Sequence, residues 1–148
     1  MRLKNRKIER EYCIVKVPRK NGEALEFKVA GIPMSLDRDF ATMCPHPRPP
    51  VVSTVGKKAE PNYDDPAYDA AFSNWSDLKK YYQLYVVLQY DENVEFPCVP
   101  TDTATLQTIR KGILDSGLSV GDIGIILKAA MDASNLTDEV VDAAKRNF

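Results

Sequence analysis

The sequence predicts an α+β fold, mainly α, in which an N-terminal β-hairpin is followed by a proline-rich linker and a helical C-terminal unit. Three observations predict it. Residues 12–29 alternate apolar and polar around an Asn21-Gly22 step, six of the ten prolines fall between positions 45 and 66, and from Asp65 onward apolar residues recur at spacings of three and four. The boundaries drawn from these shifts are a basic arm (1–10), a hairpin with a short helix (11–43), a proline-rich linker (44–64) and a helical domain (65–148). At 148 residues the chain is long enough to bury about 68–70% of its unfolded surface, so it needs no metal or disulfide scaffold.

The hairpin is placed at 11–17 and 24–31. Tyr12 and Ile14, with Val17, are assigned to one side of the first strand and Cys13 and Val15 to the other. In the second strand Leu25, Phe27 and Val29 alternate with Glu26 and Lys28. Asn-Gly favours the tight turn because both residues tolerate positive φ. An isolated hairpin is marginal in water, so this one has to pack on a helix or pair with another chain. Ser35 can cap a short helix to position 43 with Leu36, Phe40 and Met43 on one face, and the run Cys-Pro-His-Pro-Arg-Pro-Pro (44–50) stops it.

Asp65-Pro66 is a strong helix start, a capping carboxylate followed by a residue pre-set for the first helical position. The helix expected over 66–90 carries the stripe Tyr68, Ala71, Phe72, Trp75, Leu78, Tyr82, Tyr85 and Val86. A second stripe, Tyr81, Leu84 and Leu88, lies on the opposite side. A helix apolar on two sides is covered on both, either by being central in the domain or because the second stripe meets a partner. Thr101 or Asp102 caps the next helix, with Leu106, Ile109, Ile113 and Leu114 inward and Gly117 ending it. Ser119 and Asp122 form a capping-box variant before Ile123, Ile126, Leu127, Ala130 and Met131. A last helix starts at Thr137, with Leu136 stapled to Val141 and the apolar face running on to Ala144 and Phe148.

The chemistry-bearing residues do not assemble an active site. The single histidine, His46, lies in the proline tract, and Cys44 two residues away brings no further ligands at metal-site spacing. Asp65 and Asp69, in the acidic group with Glu60 and Asp64, sit where a helix start favours negative charge, so capping outweighs acid–base or Mg²⁺ chemistry. The glycines spell neither GxGxxG nor GxxxxGK[ST]. No catalytic residue, cofactor or metal is expected. Cys13, Cys44 and Cys98 form no CxxC pair and read as reduced thiols in a cytosolic protein. The basic start lacks the apolar stretch of a secretory signal, and no run is long enough to span a bilayer.

Eight basic residues against Glu9 and Glu11 give positions 1–20 a net +6 and leave −7 for the rest of a chain whose net charge is −1. Such an arm reads as a solvated terminus, and without interleaved aromatics it argues against nucleic acid as a partner.

In order, the hairpin, "PHPRPPVV", "DDPAYDAAFSNWSDLKKYYQLYVVL" and "GLSVGDIGIILKAAMDASNLTDEVVDAAKRNF" resemble the tail assembly chaperones of long-tailed bacteriophages. The likeness covers about residues 40–148 and is carried most by the "DPAY" helix start and the "NLTDEVVDAAKRNF" ending. It implies a non-enzymatic factor of the host cytoplasm that binds the tape measure protein and keeps it soluble until tail tube subunits polymerise around it. The major tail protein is then a second partner, and homo-oligomers are compatible with the role. The family brings no catalytic or cofactor residues. On this reading Tyr81, Leu84 and Leu88 face the partner. The rival readings are a ring-forming connector or adaptor whose hairpins pair edge to edge, and a small nucleic-acid-binding regulator using the basic arm.

Overall fold

The computed structural model describes residues 10–134 and Arg146. The helix expected from Thr137, with its Leu136 staple, lies outside the described residues apart from Arg146, as does most of the basic arm. The fold is α+β: an antiparallel hairpin, β1 (Tyr12–Pro18) and β2 (Ala24–Ala30), then α1 (Leu36–Met43), a minor ladder β3 (Val51–Val52) and β4 (Glu60–Pro61), and the helices α2 (Pro66–Leu88), α3 (Thr103–Leu114) and α4 (Val120–Ala133). Among the described residues no helix is long and apolar enough to cross a membrane.

The register Tyr12↔Ala30 through Pro18↔Ala24 follows from the turn, where Gly22 holds φ +83° and Glu23 N–H donates to Asn21 Oδ1 at 3.1 Å. The two-residue period corrects the expected placement of Val17. It shares the inner face with Cys13 and Val15 and is fully buried, whereas Tyr12 and Ile14 point outward, 42% and 56% exposed. The hairpin is fastened to the helices by polar contacts. Arg19 Nη1 meets Asp122 Oδ2 at 2.8 Å, Lys28 N–H donates to Asp91 Oδ2 at 2.8 Å, and Ile32 N–H donates to Ser134 Oγ at 2.6 Å. A Cβ on Gly31 would stand 3.0 Å from the Ala133 carbonyl oxygen, so the chain leaves the hairpin too close to α4 for a side chain.

Asp65 caps α2 as expected, accepting from Tyr68 N–H at 2.9 Å with proline in the first turn. Asp102 with Thr105, and Ser119 with Asp122, close reciprocal capping boxes on α3 and α4. Ser35 occupies the N-cap position of α1 but makes no side-chain cap bond.

Hairpin and helices share one core. Val17 and Val29 pack with Tyr81, Leu84, Val87 and Leu88 of α2, Ile109 and Ile113 of α3, and Ile126 and Ala130 of α4. A second cluster joins Leu36 and Phe40 of α1 to Leu78, Tyr82 and Val86 of α2 and Leu106 of α3. Helix α2 is therefore central over its C-terminal half, and its first turns run beyond the core. The expected stripe fails there: Ala71 and Phe72 are exposed and Tyr68 only half-buried. The proline-rich stretch is more than a linker. Trp75 Nε1 donates to the Cys44 carbonyl at 3.0 Å, the His46 ring lies 4.5 Å from that of Trp75, and the small β3/β4 ladder closes the segment.

Candidate functional site

The residues assigned to a partner from sequence, Tyr81, Leu84 and Leu88, are 5%, 1% and 4% exposed. They do not form a free stripe, because the hairpin covers this face of α2 from one side and α3 and α4 from the other. They do reach the surface in another sense, as walls and floors of two apolar depressions flanking the α3–α4 turn. One, of about 100 Å³, is bounded by Phe27, Leu84, Leu88, Phe96 and Pro97. The other, of about 290 Å³, is bounded by Tyr81, Leu114, Val120, Gly124 and Leu127, with Lys80 at its rim. Ile113, Leu118 and Ile123 line both, so the two meet at the turn.

Local sequence explains the larger groove. Helix α3 ends at Leu114 and α4 begins at Val120, a tight connection that brings the last turn of one beside the first turn of the other. Leu114, expected to face inward, is instead 62% exposed, because Ile109 and Ile113 take the buried face and the next residue is turned about 100° away. Val120 is 90% exposed at the opposite lip. Met131, assigned to the buried face of α4, is likewise 46% exposed, while Ala129 and Ala130 fill that space. Gly124 lies between the lips with nothing within 4 Å of where a Cβ would be, which leaves the groove open at its middle.

Among the described residues, the one charged residue lining the groove between these apolar lips is Lys80, which pairs with Asp77 at 3.5 Å. Lys80 Nζ lies 4.8 Å from the centre of the Tyr81 ring. In the first turn of α4 the Asp122 carboxylate accepts from Ser119 N–H and pairs with Arg19, and these contacts, the backbone bond first, hold its pKa below the ordinary carboxylate value. Bonds from Thr105 lower Asp102 in the same way. Tyr82 and Tyr85 are pushed up, chiefly by burial. Such shifts belong to caps and core. Among the described residues no three His, Cys, Asp or Glu side chains converge as a metal site.

A second exposed apolar region is the free start of α2. Tyr63, Tyr68, Phe72 and Trp75 follow one another with ring centres 5.8–6.1 Å apart, and His46 packs on the last two. Tyr68, Phe72 and Trp75 do share one stripe, as their spacing predicts, but that stripe is not in the core here. Leu118 and Val120, an apolar pair on either side of the Ser119 cap and just after the Gly117 turn, where polar residues are the norm, are the one sequence sign of the exposed apolar patch at the α3–α4 groove, and a weak one. No protein-family model, no curated protein and no solved structure matches the chain.

Proposed function

We propose that this chain is a non-enzymatic assembly chaperone of a long-tailed bacteriophage, which holds an amphipathic helical segment of the tape measure protein in the host cytoplasm until the tail tube forms. The observation that supports the reading is the apolar groove between α3 and α4, with Tyr81 as part of its wall and Leu114 and Val120 as its lips. Such a surface suits a partner helix that inserts apolar side chains at positions i, i+3, i+4 and i+7. The resemblance noted in the sequence names the tape measure protein as that partner, and the major tail protein joins afterwards.

Gly124 makes the test clean. Replacing it by leucine meets nothing within 4 Å of the new Cβ, fills the groove, and removes a helix-weakening glycine. Co-expression with a tagged tape measure protein is expected to give soluble tape measure with this chain co-purified. Gly124→Leu is expected to abolish both while melting no lower than the parent. A tape measure that stays insoluble with the parent chain, or a variant that rescues as well as the parent, refutes the proposal.

A further inference from the structure

The two edges of the hairpin differ. On β2 the outward N–H of Lys28 is taken by Asp91, a buried carboxylate, so that edge is closed at its centre by the turn that follows α2. On β1 the register turns the backbone groups of Cys13, Val15 and Val17 toward β2 and those of Tyr12, Ile14, Lys16 and Pro18 away from it. Among the described residues nothing accepts from the outward N–H groups of Tyr12, Ile14 and Lys16, and the Ile14 carbonyl receives only the Cys13 thiol at 3.8 Å. A seven-residue strand with an open edge and two exposed apolar side chains is a template for another strand.

The row of donors identifies the strand it fits. Pro18 has no N–H, so the usable donors are Tyr12, Ile14 and Lys16, and their centre is Ile14. An antiparallel second copy placed on a two-fold axis at Ile14 pairs Ile14 with Ile14 and sets Tyr12 of each copy opposite Lys16 of the other. Every outward donor then finds a carbonyl. The charge pattern agrees, because the only cation in the row faces an aromatic ring, whereas an axis at Lys16 opposes two lysines. The Tyr12 ring already accepts Lys28 of its own chain at 4.3 Å. On the inner face Cys13 and Val15, both half-buried, come opposite Val15 and Cys13 of the second copy and extend the apolar layer.

We infer that two copies of this chain associate through β1, antiparallel and centred on Ile14, to form a continuous four-stranded sheet with the helices on one face. The interface is isologous and closes at two. It uses neither the α3–α4 groove nor the start of α2, so it is independent of the proposed chaperone role.

Sedimentation of the full chain across a concentration series is expected to show a species of twice 16.6 kDa. Ile14→Pro removes the central outward donor without touching the intrachain ladder, and it is expected to weaken association at least tenfold with an unchanged far-ultraviolet circular dichroism spectrum. A crosslink reads the register even where that variant folds poorly. In a Cys13→Ser background, Ile14→Cys brings two thiols to a directly opposed pair about 5.5 Å apart at Cα, within disulfide reach, and is expected to form a covalent dimer on mild oxidation. Lys16→Cys in the same background separates the thiols by about 13 Å and is expected to stay monomeric on denaturing gels. A chain that is monomeric up to about 1 mM overturns the inference and leaves a strand of another protein as the occupant. Crosslinking through Lys16→Cys in place of Ile14→Cys, or association indifferent to Ile14→Pro, overturns it as well.

Discussion

Leu84→Ala separates a core residue from a contact residue. Leu84 is 1% exposed and sits where the hairpin, α2 and the last two helices meet. Alanine removes three carbons, about 2.4 kcal/mol of transfer free energy at roughly 0.8 kcal/mol per carbon. The space left behind adds to this, since surrounding side chains relax only in part. The 100 Å³ depression beside Leu84 gives some of that relaxation a route, so the total is set at about 3 kcal/mol, the lower part of the usual range. For a chain of this length each kcal/mol moves the melting temperature by about 2–4 °C, which makes a fall of about 6–12 °C. The assay is urea unfolding followed by circular dichroism, with Leu114→Ala as the surface control. Leu114 is 62% exposed, and its truncation is expected to change stability by no more than about 0.5 kcal/mol. The denaturant slope should stay constant in both, so that the midpoint carries the whole effect. If Leu84→Ala costs no more than Leu114→Ala, the shared core between hairpin and helices is wrong.

Acid sensitivity follows from the capping boxes. The folded-state pKa of Asp122 lies below its ordinary 3.8, so its contribution is complete above that value and is lost as pH falls through the folded value. Asp122→Asn is therefore expected to lower the melting temperature at neutral pH and to flatten its decline as pH falls below 3.8, in melts taken across pH. Gly124→Ala should raise stability by about 0.5–1 kcal/mol, because a helical glycine with open space around it gains order at no steric cost. A destabilised Gly124→Ala in urea titrations would show that the groove is not open at that point.

Much of the fold was legible because it is written locally. Asn21-Gly22, Asp65-Pro66 and Ser119 with Asp122 each determine a turn or a helix start from within a few residues, and the structure has all of them. What a helix packs against is a tertiary matter. Helix α2 carries apolar residues along its whole length, yet only the part after Trp75 is enclosed, so the core its periodicity predicted for Phe72 is absent, and of the two readings it left open for Leu84, a central helix or a partner-facing stripe, the structure has the central helix. The ladder of Val51–Val52 with Glu60–Pro61 is too short to leave an alternating pattern. The groove had a weak signal, since its lips come from the end of one helix and the start of the next, and each looked like an ordinary helix-end residue.

The fastening of the hairpin to α4 also sets a timetable for the ribosome. Arg19 waits for Asp122, 103 positions later, and Ile32 waits for Ser134, 102 positions later. At about 5–20 residues per second, the first strands exist for roughly 5–20 s before α4, the last of the three helices packed on Val17 and Val29, has been made. During that interval α2 and then α3 are made and can cover part of the hairpin's inner face, while the part that α4 covers stays open. The last seam of the core to close is thus the one between β1 and α4, fixed in time by the length of chain that separates them.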